Sequence, residues 1–319
     1  MFRFRHAVTS LVLAAVCGGA VANDKPVTLV VPFPAGSTSD LIPRLVSPLL
    51  SKALNVTVVV ENRPGANGSL GAARVATSPK DGTTLLLGTT GVFSINQWIY
   101  EKLSYNPEKD FDPIINAAAT PNMIVVNPST GIKSLKELVS QAKARPNELT
   151  YASAGNGSTS HLCGELLMKA AGIQLVHVPY QGPAPAMQDI LAGRVTMICD
   201  NLSNVLQHVK GGRLTPIAVT AGSRASVLPD VPTASEAGVS GVDAGIWYGF
   251  AAPAGTPAET VKTLNVEIAK ALNEPSVKKR LNELGLNIVA DSPEEFKAFM
   301  NAESRRMQEL VKVSGAKIK

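Results

Sequence analysis

Short apolar runs alternate with segments of helical periodicity along nearly the whole chain. The runs occupy residues 28–31, 57–63, 83–88, 122–127, 175–179, 195–199, 215–220 and 247–252. Most are rich in Val, Ile or Leu and bounded by Gly, Pro, Asn or Asp, which predicts short buried strands. The segments between them carry helix start signals. Ser134 with Glu137 predicts a capping box for a helix ending near Arg145-Pro146. Thr256-Pro257 with Glu259, and Ser292-Pro293 with Glu295, predict two more, each with proline at the first helical position. A shorter helix begins near Pro275 and ends at Gly285. The first long helix has an apolar face of Leu41, Ile42, Leu45, Val46, Leu49 and Leu50. Two prolines interrupt it: Pro43 is expected near the tolerant first turn, whereas Pro48 should remove a hydrogen bond and kink the helix.

Strand–helix alternation predicts an α/β protein with a largely parallel, buried sheet in each domain. The sequence contains no internal repeat or low-complexity linker, and the charged helical segment after Thr256 reads as a surface layer. The chain is expected to cross between domains twice, near Pro121 to Pro128 and near Gly241 to Pro253. A double crossing makes a hinge, and the cleft between the domains is then the binding site.

Residues 1–22 read as an export signal. Arg3 and Arg5 precede an apolar stretch from Ala7 to Gly19, and Ala20-Val21-Ala22 forms a cleavage site. Val16 is bulky where a lipidated Cys17 would want a small neighbour, so cleavage after Ala22 and a mature periplasmic chain of about 297 residues are expected. That length suggests two domains, divided as residues 23–122 plus 247–319 and residues 123–246. Without Arg3 and Arg5, 28 basic side chains face 25 acidic ones, scattered rather than clustered. With aromatic residues at 5%, no stacking platform for bases is evident, and no nucleic-acid partner is expected. Two cysteines remain, Cys163 and Cys199; in an oxidising compartment they could bridge, or lie buried as thiols.

Two loops are built alike: Pro32 to Asp40 (PFPAGSTSD) and Ser153 to His161 (SAGNGSTSH). Each follows a strand, opens into a helix, is rich in Gly, Ser and Thr, and lacks Lys and Arg. Such loops present N–H groups and hydroxyls at the positive end of a helix, a seat for an anion. In the first, Gly36, Ser37 and Thr38 would supply the donors, unless Thr38 or Ser39 merely caps the helix. In the second, Gly155 and Gly157 allow close approach, while Ser158, Thr159 and Ser160 offer hydroxyls. The loose G-x-G-x-x-S pattern there raises dinucleotide binding, but the next strand reads Val176-His177-Val178 without the acidic residue that would hold a ribose. Thr89 and Thr90 end another strand that should face the same cleft. Ser158, His161 and Asp200 together raise a hydrolase, yet the chain has no G-x-S-x-G elbow and four histidines in all, so neither a triad nor a metal cluster is supported. Asp200-Asn201 either caps a helix near Ser203 or accepts a ligand hydrogen bond. Trp247 and Tyr248 either pack or line the cleft.

VVPFPAGSTSD, VVVENRPGANGSLGA, DGTTLLLGTTG, YNPEKDFDPI, YASAGNGSTSHLCGEL, VHVPYQG, LPDVPT and GIWYGF follow one another along the chain. In this order they resemble the Bug-type (Bordetella uptake gene) solute-binding proteins of tripartite tricarboxylate transporters, over essentially the whole mature chain. The resemblance implies a two-domain periplasmic-binding-protein (Venus flytrap) fold and delivery of a carboxylate ligand to a membrane permease with one large and one small subunit. Carried over by position, the ligand loops are Phe33 to Thr38 and Ser153 to His161, including Ser153 and Asn156, with Thr89, Thr90 and Asp200 completing the pocket. A dicarboxylate, tricarboxylate, acidic amino acid or aromatic acid fits, with no enzymatic activity, cofactor or metal and a monomeric state expected. A periplasmic sensor subunit would share the same fold. The chain departs from the family at Ala35-Gly36-Ser37, where P-G-G is common, and at Gln97, where proline is usual.

Overall fold

The computed structural model describes residues 25–314, so the expected export signal and its cleavage site lie outside the described residues. Among the described residues no helix is long and apolar enough to cross a membrane.

The amino-terminal lobe is built on β1 (Val27–Val31), which pairs in parallel with β2 (Val58–Asn62) and β3 (Thr84–Thr89). The second lobe is built on β5 (Thr150–Ser153), parallel to β6 (Val176–Pro179) and β7 (Met197–Asn201). The strands that join the lobes run antiparallel to these. β4 (Phe111–Val126) is one strand of 16 residues. Its first part pairs with β9 (Gly245–Pro253), and beyond Pro121 it pairs with β7 and β8 (Thr215–Val219). β9 also pairs with β3, and the short β10 (Asn287–Ile288) pairs with β4. The resulting order is β2-β1-β3-β9-β4-β7-β5-β6, a mixed sheet that is parallel within each lobe and antiparallel at the junction. β4 changes partner strands between Pro121 and Asn122, where the Asn122 N–H donates to the Ala244 carbonyl at 3.0 Å, next to the start of β9 at Gly245.

Helices cover both faces of each half of the sheet. In the first lobe, α1 (Thr38–Leu54) and α8 (Ala258–Asn273) bury Ile42, Val46, Leu264 and Ile268 on one face. On the other, α2 (Ser69–Ala76) and α10 (Pro293–Ser314) pack around Phe93, Trp247 and Phe296. In the second lobe, α4 (Leu135–Ala144) and α5 (Thr159–Ala171) cover one face, and α6 (Pro183–Leu191) and α7 (Leu202–Lys210) cover the other. The C-terminal α10 is more than a surface layer. Its Met307 and Val311 share a buried cluster with Ile95 and Ile99 of the first lobe and Leu162 of α5. The Arg306 guanidinium also donates to the Asp243 carbonyl.

Ser134 and Ser292 cap their helices as expected, accepting from the N–H groups of Glu137 and Glu295 at 3.2 Å each. Thr256 does not. Its hydroxyl donates back to the Pro253 carbonyl, and Pro257 takes the cap position without a side-chain bond. The Asp112 carboxylate instead accepts from the N–H groups of Gly255 and Thr256, tying this turn to β4. Pro43 lies beyond the first turn, so it deprives the Ser39 carbonyl of its helical donor. The helix nonetheless runs on through Pro43 and Pro48. At Pro48 the freed Arg44 carbonyl accepts from the Ser47 hydroxyl at 3.4 Å. Cys163 and Cys199 form a disulfide with Cα atoms 6.1 Å apart, joining the first half of α5 to β7.

Candidate functional site

Both Gly-rich loops open onto one cavity of about 390 Å³ between the lobes. The first loop is shaped by Asp40, a carboxylate with 3% of its surface exposed. It accepts from the Gly36 N–H (2.8 Å), the Asn62 amide (2.9 Å) and the Arg44 guanidinium (2.8 Å). Burial alone would raise the Asp40 carboxyl, but these three donors outweigh it and hold it below the usual carboxylate range. Gly36 is left-handed at φ +82°, which turns the chain back toward Asp40. Ser37 then caps α1 by accepting from the Asp40 N–H.

The second loop is held by a hydroxyl cluster. Ser158 caps α5 through the His161 N–H and donates to the Gly155 carbonyl at 2.6 Å. The Ser160 hydroxyl accepts from the Ala154 N–H at 2.9 Å. Among the described residues, the backbone N–H groups of Thr38, Ser39, Thr159 and Ser160 have no protein acceptor. They are the orphan donors of two helix starts, and all four residues line the cavity.

Two further helices begin at the same cavity. Gly182 and Pro183 open α6, and Asn201 precedes α7; all three line the wall. Among the described residues, four helix N-termini thus converge on a space whose wall carries no Lys, Arg or His. Its apolar part comes from Phe33, Pro34, Pro185, Met187 and Ile246. Among the described residues its one carboxyl is Asp200, 2% exposed, which accepts from the Asn201 N–H (2.8 Å) and the Asn204 amide (3.2 Å). Burial pushes Asp200 up to about 6, only partly offset by those two donors.

Of the residues singled out from sequence, Phe33, Gly36, Ser37, Thr38, Thr89, Ser158, Thr159 and Asp200 line the cavity. Five stand elsewhere. The Thr90 hydroxyl accepts from the Trp247 N–H, stapling β9 to the end of β3. Ser153 is buried against His177, with 2.6 Å between Oγ and Nε2. Asn156 is exposed at the loop tip. The Gly157 N–H donates to Nδ1 of His161 at 3.1 Å. The His161 ring lies on His177 (centroids 4.3 Å), which stacks on Tyr151 (4.7 Å). Burial in this stack, then the neighbouring His177, pushes His161 down to about 4, so its Nδ1 stays a neutral acceptor. The ring is therefore committed to Gly157, and Ser158 Oγ to the Gly155 carbonyl, which is not the geometry of a nucleophile and its base.

Sequence reading did not single out Asn67, Gln181, Asn204 or Ile246 as wall residues, whereas Asn201, paired there with Asp200, does line the wall. Asn67 is held at φ +49°, with its amide donating to Asn96 Oδ1 at 2.9 Å. The Gly182-Pro183 pair carries a helix-start signal that would have pointed to α6. Tyr248 lines the cavity, whereas Trp247 is packed between Phe93, Phe296 and Phe299.

Comparison with known proteins agrees with this geometry. The family model described as tripartite tricarboxylate transporter family receptor matches residues 42–316. Protein BugT of Bordetella pertussis is 33% identical over 92% of this chain and 91% of its own. A solved R. palustris protein with adipate superposes with a TM-score of 0.87 at 37% identity, over 92% of this chain and 98% of that one. MatC from Rhodopseudomonas palustris, with bound malate, gives a TM-score of 0.83 at 34% identity, over 90% and 98% of the two chains. The chain therefore belongs to the tripartite tricarboxylate transporter receptor family, the periplasmic solute-binding proteins that include the Bug proteins.

Proposed function

We propose that this protein captures a small organic acid in the cavity and delivers it to a tripartite tricarboxylate-type membrane permease. The observation that carries this reading is the convergence, among the described residues, of four helix N-termini on a cavity wall without a basic side chain. Such a wall attracts an anion through partial charges and N–H donors, each charge-assisted bond contributing roughly 1.5–3 kcal/mol. A few of them reach micromolar affinity after the cost of closure, while no fixed cation holds the anion against release. The cavity volume is in the range of small-molecule sites. Relatives of similar fold hold adipate and malate, so dicarboxylates lead the ligand classes.

In this reading the carboxylate oxygens meet the loop 33–38 on one side and Ser158 and Thr159 on the other, with Thr89 between. Asp200 selects for a ligand hydroxyl, ammonium or protonated carboxyl beside the carboxylates. Residues 23–122 plus 247–319 form one closing domain and 123–246 the other, after export and cleavage following Ala22. A thermal-shift screen of the ligand-free protein against adipate, malate, citrate, glutamate and aromatic acids tests the reading. At least one acid should raise the melting temperature, and Thr159→Phe, which fills the cavity, should abolish that rise. An unshifted wild type, or a shift that Thr159→Phe leaves intact, refutes it.

A further inference from the structure

The N-terminal ends of α1 and α7 face each other across the cleft. Both present the positive end of their dipoles, so their approach is opposed until something negative or hydrogen-bonding lies between them. The structure shows what does. The Thr38 hydroxyl, in the first turn of α1, lies 3.1 Å from the Ser203 hydroxyl and 3.4 Å from Asn204 Oδ1, both in the first turn of α7. Tyr248 lines the same cavity wall as Thr38. Asn204 is oriented for this contact by Asp200. Its amide N–H₂ donates to the Asp200 carboxylate at 3.2 Å, which leaves Oδ1 as the end that accepts from Thr38.

From this arrangement we infer that Thr38, Ser203 and Asn204 form a latch that holds the two lobes closed independently of the ligand. Their hydroxyl and amide groups act in closure rather than in gripping the acid, and Asp200 is its positioning residue. The inference rests on the solute-binding reading of this cleft and adds how its closed state is maintained. The anion is then held by the backbone N–H groups of the helix starts, while the side chains beside them set how long the cleft stays shut. A latch of neutral groups suits this task, because each bond is weak enough to break when the lobes must part.

The test uses ligand-free protein, so it does not depend on which acid binds. Ketone-bearing residues placed at Lys52 and Lys210, both exposed at the far ends of α1 and α7, accept spin labels without disturbing the disulfide. Pulsed electron resonance then reads the distance across the cleft. Wild type should show a short-distance population. Thr38→Val and the pair Ser203→Ala/Asn204→Ala should reduce its ratio to the open population about tenfold, as expected for losing two hydrogen bonds between uncharged groups. Thr38→Ser, which keeps the hydroxyl, should retain it. Melting temperatures close to wild type confirm that the variants are folded. A single long distance in wild type, or identical distributions in wild type, Thr38→Val and the double variant, overturns the latch. Failure of every acid in the thermal-shift screen would overturn the solute-binding reading instead, and leaves the distance measurement able to score the latch by itself.

Discussion

Replacing Asp200 with Asn should stabilise the ligand-free protein at neutral pH and change its response to acid. Burial raises this carboxyl to about 6, against about 3.9 in an unfolded chain. Between pH 4 and 6 the folded protein therefore binds more protons at Asp200 than the unfolded one. This contribution to stability is fully present below pH 4, is lost as pH rises through 6, and is flat above. A gap of two pH units corresponds to roughly 3 kcal/mol. The four helix N-termini favour the carboxylate, and Asn offers only one acceptor where Asp offers two, so about 1–2 kcal/mol is expected from Asp200→Asn at pH 8. His161 works in the opposite direction. Burial and His177 push it down to about 4, so its contribution is complete above pH 6.5 and is lost as pH falls toward 4. The wild-type profile is a compromise between the two slopes, and the wild-type-minus-variant difference isolates Asp200. Urea unfolding of ligand-free protein from pH 4 to 8 measures it. The variant's advantage should be near zero at pH 4 and grow to its plateau by about pH 7. An advantage independent of pH, or one that grows toward acid, would refute the assignment of a costly buried charge at this position.

Removing the disulfide with Cys163→Ala/Cys199→Ala should lower stability by about 2–4 kcal/mol, because the bridge closes a loop across 36 residues. Equal urea midpoints for wild type with and without reductant would contradict this. Asp40→Ala leaves the Gly36 N–H, the Asn62 amide and Arg44 without their shared acceptor, at a cost of about 2–3 kcal/mol by urea unfolding. A loss below about 0.5 kcal/mol would show that the first loop does not depend on it. The same carboxyl, held low by those donors, should make wild type lose stability as pH falls below about 4, a slope absent from Asp40→Ala.

Strand–helix alternation and the two Gly-rich helix starts were legible along the chain, because each depends on residues close in sequence. What joins the lobes was not. The apolar run beginning at Asn122 is only the second part of β4. The first part, Phe111 to Pro121, contains Pro113 and Pro121 and many small residues, so it does not read as a strand. Pro113 is accommodated next to a register shift, and Pro121 sits where β4 exchanges one partner strand for another. The site divided in the same way. Ser37, Thr38, Ser158 and Thr159 lie at helix starts that announce themselves, whereas Asn67, Gln181, Asn204 and Ile246 enter the wall from other elements, through tertiary packing. His161 reads as a pocket residue from its own loop. Its ring is instead claimed by His177, sixteen positions away on another strand, a distance in space that one-dimensional spacing does not encode.

The place of β9 in the sheet also dictates when the chain can finish folding. It is inserted between β3 and β4, both completed more than a hundred residues earlier, so a nascent polypeptide that has reached only the second lobe has two strands awaiting a centrepiece. The second lobe, contiguous in sequence, is free to collapse by itself. The first must wait for the late arrival of Gly245–Pro253 and the helices behind it. The amino-terminal half of the sheet therefore stays incompletely paired until its central strand has been synthesised.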